Sequence, residues 1–405
     1  MKPKLVLVGN GMAGVRTLEE LLKRDPGRYD ITVFGDEPLG NYNRILLSPV
    51  LAGERTIEEI ITHPLAWYAE RGIRLIAGDA VVAIDRKART ISTASGHVAH
   101  YDWLLLATGS RPFMPAVPGA DRPGVLGFRD IADVARMLAA SREYRRAVVI
   151  GGGLLGLEAA VGLLKRGMEV TVVHRGTWLM ERQLDQPAAA LLQKDLEGRG
   201  LRVLLKADTS AILGDQRVES LQLKDARELA TDLVVVAAGI VPNIRLAQDC
   251  GLECGRGIIV DDTLRSSDPR IFAVGECVQH REVCYGLVAP LWEQAVVCAD
   301  HLLRRANSVY LGSLVSTKLK VTGINIFSAG NFLGGTGTDE LVLRDPRRGV
   351  YKKLVLREGR LDGAVLVGDT GDGGWYFDLI QQKTLVAHWR QKLVFGRAYC
   401  QAQAA

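Results

Sequence analysis

The chain has 405 residues, 47% of them hydrophobic, and 44 glycines, so it is long and apolar enough to bury more than one core and to form two or three domains. Its 51 Lys and Arg against 46 Asp and Glu leave a net charge of +5, and no basic run is interleaved with aromatics, so nucleic acid is not the expected partner. No apolar run reaches the roughly 18 residues of a membrane span, and no signal-peptide core precedes the first strand, so a cytoplasmic protein without membrane contact is expected.

The run Leu5-Val6-Leu7-Val8 meets Gly9-Asn10-Gly11-Met12-Ala13-Gly14, a G-x-G-x-x-G pattern between a buried strand over Lys4 to Val8 and a helix over about Ala13 to Lys23. Gly9 permits the tight turn, Gly11 lets a pyrophosphate approach the backbone, and Gly14 lets helix and strand pack closely. The helix N-terminus points its N–H groups at the phosphates. A second strand, Asp30 to Phe34, ends at Gly35-Asp36-Glu37, where an acid about 20 positions past the glycines bonds an adenosine ribose. Asp36 and Glu37 are both candidates. An antiparallel pair, Ala80 to Asp85 and Thr90 to Thr93, precedes the run Tyr101 to Pro112, a buried strand entering the small-residue turn Ala107-Thr108-Gly109.

The pattern then repeats. Val148 to Ile150 is a strand, Gly151-Gly152-Gly153-Leu154-Leu155-Gly156 a second fingerprint, Leu154 to Lys165 a helix, and Glu169 to Val173 the next strand. Two fingerprints in strand-turn-helix context imply two dinucleotides held at once, and hydride passing between them. The second ribose strand ends at His174-Arg175 without an acid; Arg175 either meets a 2′-phosphate or is a plain exposed arginine, so NADH and NADPH both stay open. Thr231 to Asn243 ends in a second small-residue turn at Ala238-Gly239 that mirrors Ala107 to Pro112. A helix begins within Tyr285 to Ala295, with Pro290 suited to its first turn. From about Ser316 come short strands, Val321 to Phe327, Glu340 to Arg344, Val350 to Arg357 and Leu361 to Val367, then helical patterns at Tyr376 to Lys383 and His388 to Lys392. The six cysteines, Cys250, Cys254, Cys277, Cys284, Cys298 and Cys400, form no C-x-x-C pair and read as buried or free thiols, not as a redox pair or a metal site.

The two fingerprints, the Ala107-Thr108-Gly109-Ser110-Arg111-Pro112 turn and Ala273-Val274-Gly275-Glu276 together resemble the two-dinucleotide flavoprotein reductases, of the FAD-dependent pyridine nucleotide-disulfide oxidoreductase type. The resemblance implies an α/β fold with two Rossmann-like dinucleotide-binding domains, one inserted in the other, and a C-terminal α+β domain. Residues 1–112 and 240–315 then form the FAD-binding domain, 113–239 the NAD(P)H-binding domain and 316–405 the C-terminal domain. The implied cofactors are FAD and NADH or NADPH. Cofactor-binding candidates are Gly9, Gly11, Met12, Ala13, Gly14, Asp36, Glu37, Arg44, Ser48, Ala107, Thr108, Gly109, Arg111, Gly151, Gly153, Leu154, Leu155, Gly156, His174, Arg175, Ala238, Gly239, Gly275, Glu276, Leu287, Val288 and Trp292. Glu158 and Trp292 are the catalytic candidates: Glu158 resembles the family glutamate facing the nicotinamide, against an exposed first-turn acid favoured by the helix dipole, and Trp292 lies beside the isoalloxazine, against a core aromatic.

Within that family, Tyr42 to Ser48, Leu179 to Asp185, Gly286 to Ala295 and Lys318 to Gly323 resemble the flavoprotein part of the NAD(P)H-nitrite reductase large subunit and the electron-transfer subunit of assimilatory nitrate reductases. The C-terminal stretch also resembles that of NADH-rubredoxin reductases. No cysteine pair follows the first ribose strand, no redox cysteine stands near Ser48-Pro49, and Pro49 replaces the lysine found after the Leu-Ser pair in several relatives. A complete chain of this length, lacking iron-sulfur and siroheme segments, is expected to gather electrons and pass them to a separate redox protein, a nitrate or nitrite reductase or a rubredoxin or ferredoxin. A redox-sensing protein that holds FAD is the rival from another class, and the chain is expected as a monomer or homodimer.

Overall fold

The computed structural model describes residues 1–305, 308–321 and 323–401, with backbone alone for 318–321. The chain divides into two compact units. Met1–Leu47, Arg55–Pro112 and Ile240–Ser313 form the first; Ser48–Glu54, Phe113–Gly239 and Leu314–Ala405 form the second.

The first unit is built on a five-stranded parallel sheet in the order Ile271–Ala273, Trp103–Leu106, Lys4–Val8, Asp30–Gly35, Arg74–Ala77. Parallel strands are covered on both faces and so read as unbroken apolar runs, and Leu5, Leu7, Leu104, Leu105 and Leu106 are fully buried here. The helix Met12–Arg24 starts at Gly11 and closes on Asp25, just before Pro26. It buries Val15, Leu18 and Leu21 and packs beside the helix Val288–Leu302. Each such side chain contributes about 1.5–3 kcal/mol when taken fully out of water. An antiparallel meander, Val81–Asp85, Thr90–Thr93 and Val98–His100, includes the expected hairpin and adds a third strand.

The second unit repeats the plan. Its parallel sheet runs Val125–Gly127, Leu233–Val236, Arg146–Ile150, Glu169–Val173, Arg202–Leu204, so the strand before the second fingerprint holds the same central place as Lys4–Val8. It carries its own meander, Thr209–Leu213, Ser220–Leu223 and Glu228–Ala230. The duplication therefore extends well past the glycines.

The same unit includes a five-stranded antiparallel sheet, in the order Ser316–Val321, Ile324–Gly330, Arg360–Val367, Val350–Arg357, Thr338–Asp345, with the helix Gly373–Gln381 against it. Phe327, Leu354, Leu366 and Tyr376 fill the space between. One expectation fails here: Val321 to Phe327 is not one strand. Val321 pairs with Ile324 across a tight turn whose Gly323 has φ +107, a conformation glycine adopts without steric cost, so two strands stand where one was read. Thr322 lies outside the described residues. Around His388 only the 3-10 turn Ala387–Trp389 forms, because Val386 N–H is tied to the Gly359 carbonyl and holds the segment to the hairpin turn between Val350–Arg357 and Arg360–Val367.

A buried polar cluster joins this sheet to the helix Gln186–Gly198. Asp185 caps that helix through Ala188 N–H at 3.1 Å, accepts a hydrogen bond from the Tyr351 hydroxyl at 2.6 Å, and lies 4.0 Å from Lys353 Nζ, which also pairs with Glu340 at 2.9 Å. Burial, and then the Asp185 carboxylate, push the Tyr351 phenol well above its ordinary value. Replacing Tyr351 by Phe leaves a buried carboxylate short of a donor and should cost about 2 kcal/mol, read from urea unfolding; an unchanged midpoint would separate the hydroxyl from the stability of this unit.

Candidate functional site

The two fingerprint turns are nearly superposable in their hydrogen bonds. Gly9 N–H donates to Phe34 O at 2.8 Å, and Gly151 N–H to Val173 O at 2.9 Å. Ala107 N–H donates to Val8 O at 2.8 Å, and Ala237 N–H to Ile150 O at 2.9 Å. Gly9 and Gly151 have φ of +108 and +128, and a Cβ on either would collide with the carbonyl oxygen of Ala107 or Ala237. These two glycines are demanded by the chain itself.

Gly11 and Gly153 are different. They cap the fingerprint helices with φ/ψ of −83/180 and −86/−177, extended values open to any residue, and a Cβ there would meet nothing within 4 Å. Neither backbone nor packing requires glycine at these points. The free volume lies at a helix N-terminus whose first N–H groups have no intrahelical acceptor, a place suited to a pyrophosphate. Gly14 and Gly156 come next, and a Cβ on each would run into the Gly9 or Gly151 carbonyl oxygen, so the helix can pack this close only without one. Met12, Ala13, Leu154 and Leu155 form the first turns.

Around the first turn, Asp36 is exposed, whereas Glu37 is half-buried, accepts from Tyr42 OH at 2.7 Å and pairs with Arg44, whose guanidinium lies 5.0 Å from the Tyr42 ring centre. Glu37 is thus the acid with an imposed orientation. Gly275 abuts Ala13, where an added Cβ would come within 3.0 Å, and its N–H donates to Gln294 Oε1 at 2.8 Å. Ser110 Oγ donates to Glu276 at 2.8 Å. Thr108 and Asn243 exchange side-chain-to-backbone bonds at 2.7 and 2.9 Å, and the strands Ser110–Pro112 and Ile240–Pro242 pair antiparallel. Arg111 is exposed and Gly109 takes φ +65. Leu287 caps the helix that starts at Val288; one turn on, Trp292 is half-buried with Arg16 at 5.7 Å from its ring centre.

In the second unit His174 Nδ1 accepts from Gly152 N–H at 3.2 Å, so the ring hydrogen sits on Nε2, which is buried, has no hydrogen-bond partner, and lies 3.9 Å from Glu181. Burial holds His174 below its ordinary pKa, hence neutral at pH 7. Glu181 accepts from Thr177 N–H at 2.7 Å. Arg175 is exposed and in no ion pair or hydrogen bond among the described residues. Gly239, at φ +126, again has open space where a Cβ would be, beside Ala238. Glu158 is not an exposed first-turn acid: it is the fifth residue of the helix Leu154–Lys165, largely buried, and accepts from Ser48 Oγ at 2.6 Å. Burial pushes its carboxyl up, and the Ser48 hydrogen bond pulls it back down.

Sequence reading missed Gln294, Asn243 and Glu181 as supports, although each lies in or beside a run already singled out; no spacing rule marks the far partner of a hydrogen bond. Among the described residues there is no group of three His, Cys, Asp or Glu able to hold a metal ion, and no helix long and apolar enough to cross a membrane.

Residues 3–301 match the family "pyridine nucleotide-disulphide oxidoreductase", and residues 316–384 the rubredoxin NAD+ reductase C-terminal domain. The chain is 50% identical over 382 residues to the nitrite reductase [NAD(P)H] of Bacillus subtilis, covering 94% of this chain and 48% of that protein. It is 44% identical over 385 residues to the assimilatory nitrate reductase electron transfer subunit of the same organism, covering 95% and 50%. The chain thus spans about half the length of these curated relatives. A ferredoxin reductase from Rhodopseudomonas palustris superposes with a TM-score of 0.87 at 27% identity, covering 97% of this chain and 98% of that one. The chain belongs to the pyridine nucleotide-disulphide oxidoreductase family and is an FAD-dependent NAD(P)H oxidoreductase of two Rossmann-like domains with a C-terminal α+β domain.

Proposed function

We propose that the chain gathers electrons from NAD(P)H and delivers them to a separate redox protein of nitrate or nitrite assimilation, in the cytoplasm. The observation that carries the two-cofactor part of this reading is the pair of glycines, Gly11 and Gly153, that neither the backbone nor the packing requires. Residues 1–112 and 240–315 hold FAD, 113–239 hold NAD(P)H, and 316–405 complete the chain. Gly9, Gly11, Met12, Ala13 and Gly14 receive the FAD pyrophosphate, Glu37, oriented by Tyr42 and Arg44, accepts from the ribose, and Gly275 and Glu276 close the other side. Gly151, Gly153 and Gly156 receive the NAD(P)H pyrophosphate, with His174 and Arg175 toward the adenosine ribose. Glu158 faces the nicotinamide. A bound FAD would accept one hydride, which carries two electrons, and could pass those electrons on one at a time. The residues supply binding and alignment, and holding two rings in register is worth several powers of ten in rate without a nucleophile or a metal.

The relatives' names favour the nitrate and nitrite pathway. The C-terminal match and the ferredoxin reductase likeness favour a second reading, a rubredoxin or ferredoxin reductase. NADH-dependent reduction of added rubredoxin, without reduction of a nitrate or nitrite reductase partner, would decide for the second.

Gly153→Ala should leave stability unchanged and flavin fully bound while weakening NAD(P)H binding about tenfold or more, since its methyl meets only ligand. Gly11→Ala should do the same to flavin retention. Isothermal titration with NADH and flavin content after gel filtration read both; undiminished binding in both variants would sink the assignment. Arg175→Ala should lower kcat/KM for NADPH by about tenfold, the worth of one charge-assisted contact, and change that for NADH little. Equal loss with both substrates would remove Arg175 from the 2′ position.

A further inference from the structure

Seven residues from the N-terminal third, Ser48–Glu54, fold with the second unit and not with the first. They run along one stripe of the helix Leu154–Lys165 and the residue that closes it, meeting Glu158, Gly162, Lys165 and Arg166, positions four, seven and eight apart and so on one face. Leu51 lies on Gly162, where an added Cβ would come within 2.8 Å of Leu51 Cγ. Arg166 donates to Leu51 O at 2.7 Å and to Val50 O at 3.1 Å. Lys165 pairs with Glu54 at 2.6 Å, a surface contact worth little by itself. At the head of this seam, Ser48 Oγ donates to Glu158 Oε2 at 2.6 Å, and Ser48 is 9% exposed.

We propose that Ser48 is the positioning residue for Glu158: its hydroxyl, held in place by the seam, donates to the half-buried carboxylate and fixes its direction. Three points support this. A carboxylate withdrawn from water without a cation tends to take up a proton unless a donor compensates. Charged groups on the elements packed against this helix are engaged elsewhere: Arg146 with Asp232, Glu169 with Arg145, Lys165 with Glu54, Arg166 with the two carbonyls. Lys318 and Lys320, on the strand Ser316–Val321, have side chains outside the described residues. Among the described residues, burial pushes the Glu158 carboxyl up and the Ser48 hydrogen bond pulls it down. Among the described residues, Ser48 is thus the group that compensates this glutamate, by one neutral hydrogen bond.

The proposal rests on the reading that Glu158 faces the nicotinamide, and the test keeps the two apart. In the FAD-loaded full chain, infrared difference titration against Glu158→Gln reads the protonation of Glu158 directly, and stopped-flow reduction by NADH across pH reads its effect on hydride transfer. Burial places the ionised form at high pH. Ser48→Ala should therefore move both midpoints upward by about one unit, tenfold less carboxylate at a given pH below them, while Ser48→Thr, which keeps the hydroxyl, stays with the wild type. Flavin content checks that each variant is folded. A Ser48→Ala midpoint equal to the wild type, or a Ser48→Thr midpoint displaced as far as that of Ser48→Ala, overturns the proposal. If Glu158→Gln keeps the wild-type pH profile of reduction, the nicotinamide-facing role fails, and the infrared shift alone still decides for or against Ser48.

Discussion

The structure depends on how closely a strand-to-helix turn can approach the neighbouring strand. At Gly9 and again at Gly151 the backbone passes so near the carbonyl of Ala107 or Ala237 that no side chain fits, and φ is positive. At Gly14 and Gly156 the helix presses on the same turn. Each turn therefore aims a helix N-terminus, with its unpaired N–H groups, at a space cleared by Gly11 or Gly153. The same packing occurs twice in the chain, once in each unit.

Other parts of the chain brace these turns and the groups around them. Glu37 does not stand free at the end of its strand; Tyr42 and Arg44 fix it. Gly275 is tied to Gln294 and pressed on Ala13, so the last strand of the first sheet and the long helix Val288–Leu302 both brace the first turn. In the second unit the corresponding strand ends in a neutral, half-buried histidine beside an acid from the next loop, not in an acid of its own. Arg175 beside it is exposed, and no ion pair or hydrogen bond engages it among the described residues.

Most of the organisation was legible in the sequence, because glycine spacing and unbroken apolar strands are local signals of global constraints. Both fingerprint helices and their flanking strands lie where the periodicity puts them. What the sequence could not carry was partnership across distance. Nothing near Glu158 announces a hydrogen bond from a serine 110 positions earlier, and helix-dipole reasoning alone favoured an exposed acid there. Asp36 and Glu37 look equivalent as letters and are separated only by what reaches them. The misread strand at Val321 to Phe327 has a similar cause: its apolar run continues across a turn that one glycine makes, and alternation alone does not register a hairpin without a longer polar break.

The central claim is that one chain aligns two bound dinucleotides for direct hydride passage, with no thiol relay between them. Anaerobic stopped-flow mixing of the FAD-loaded chain with one equivalent of NADH, following the visible flavin band alongside a thiol count, tests it most directly. The account predicts full bleaching within seconds by that single equivalent, with the thiol count unchanged. Bleaching slower than minutes, or a requirement for more than one equivalent together with a change in free thiols, would contradict it.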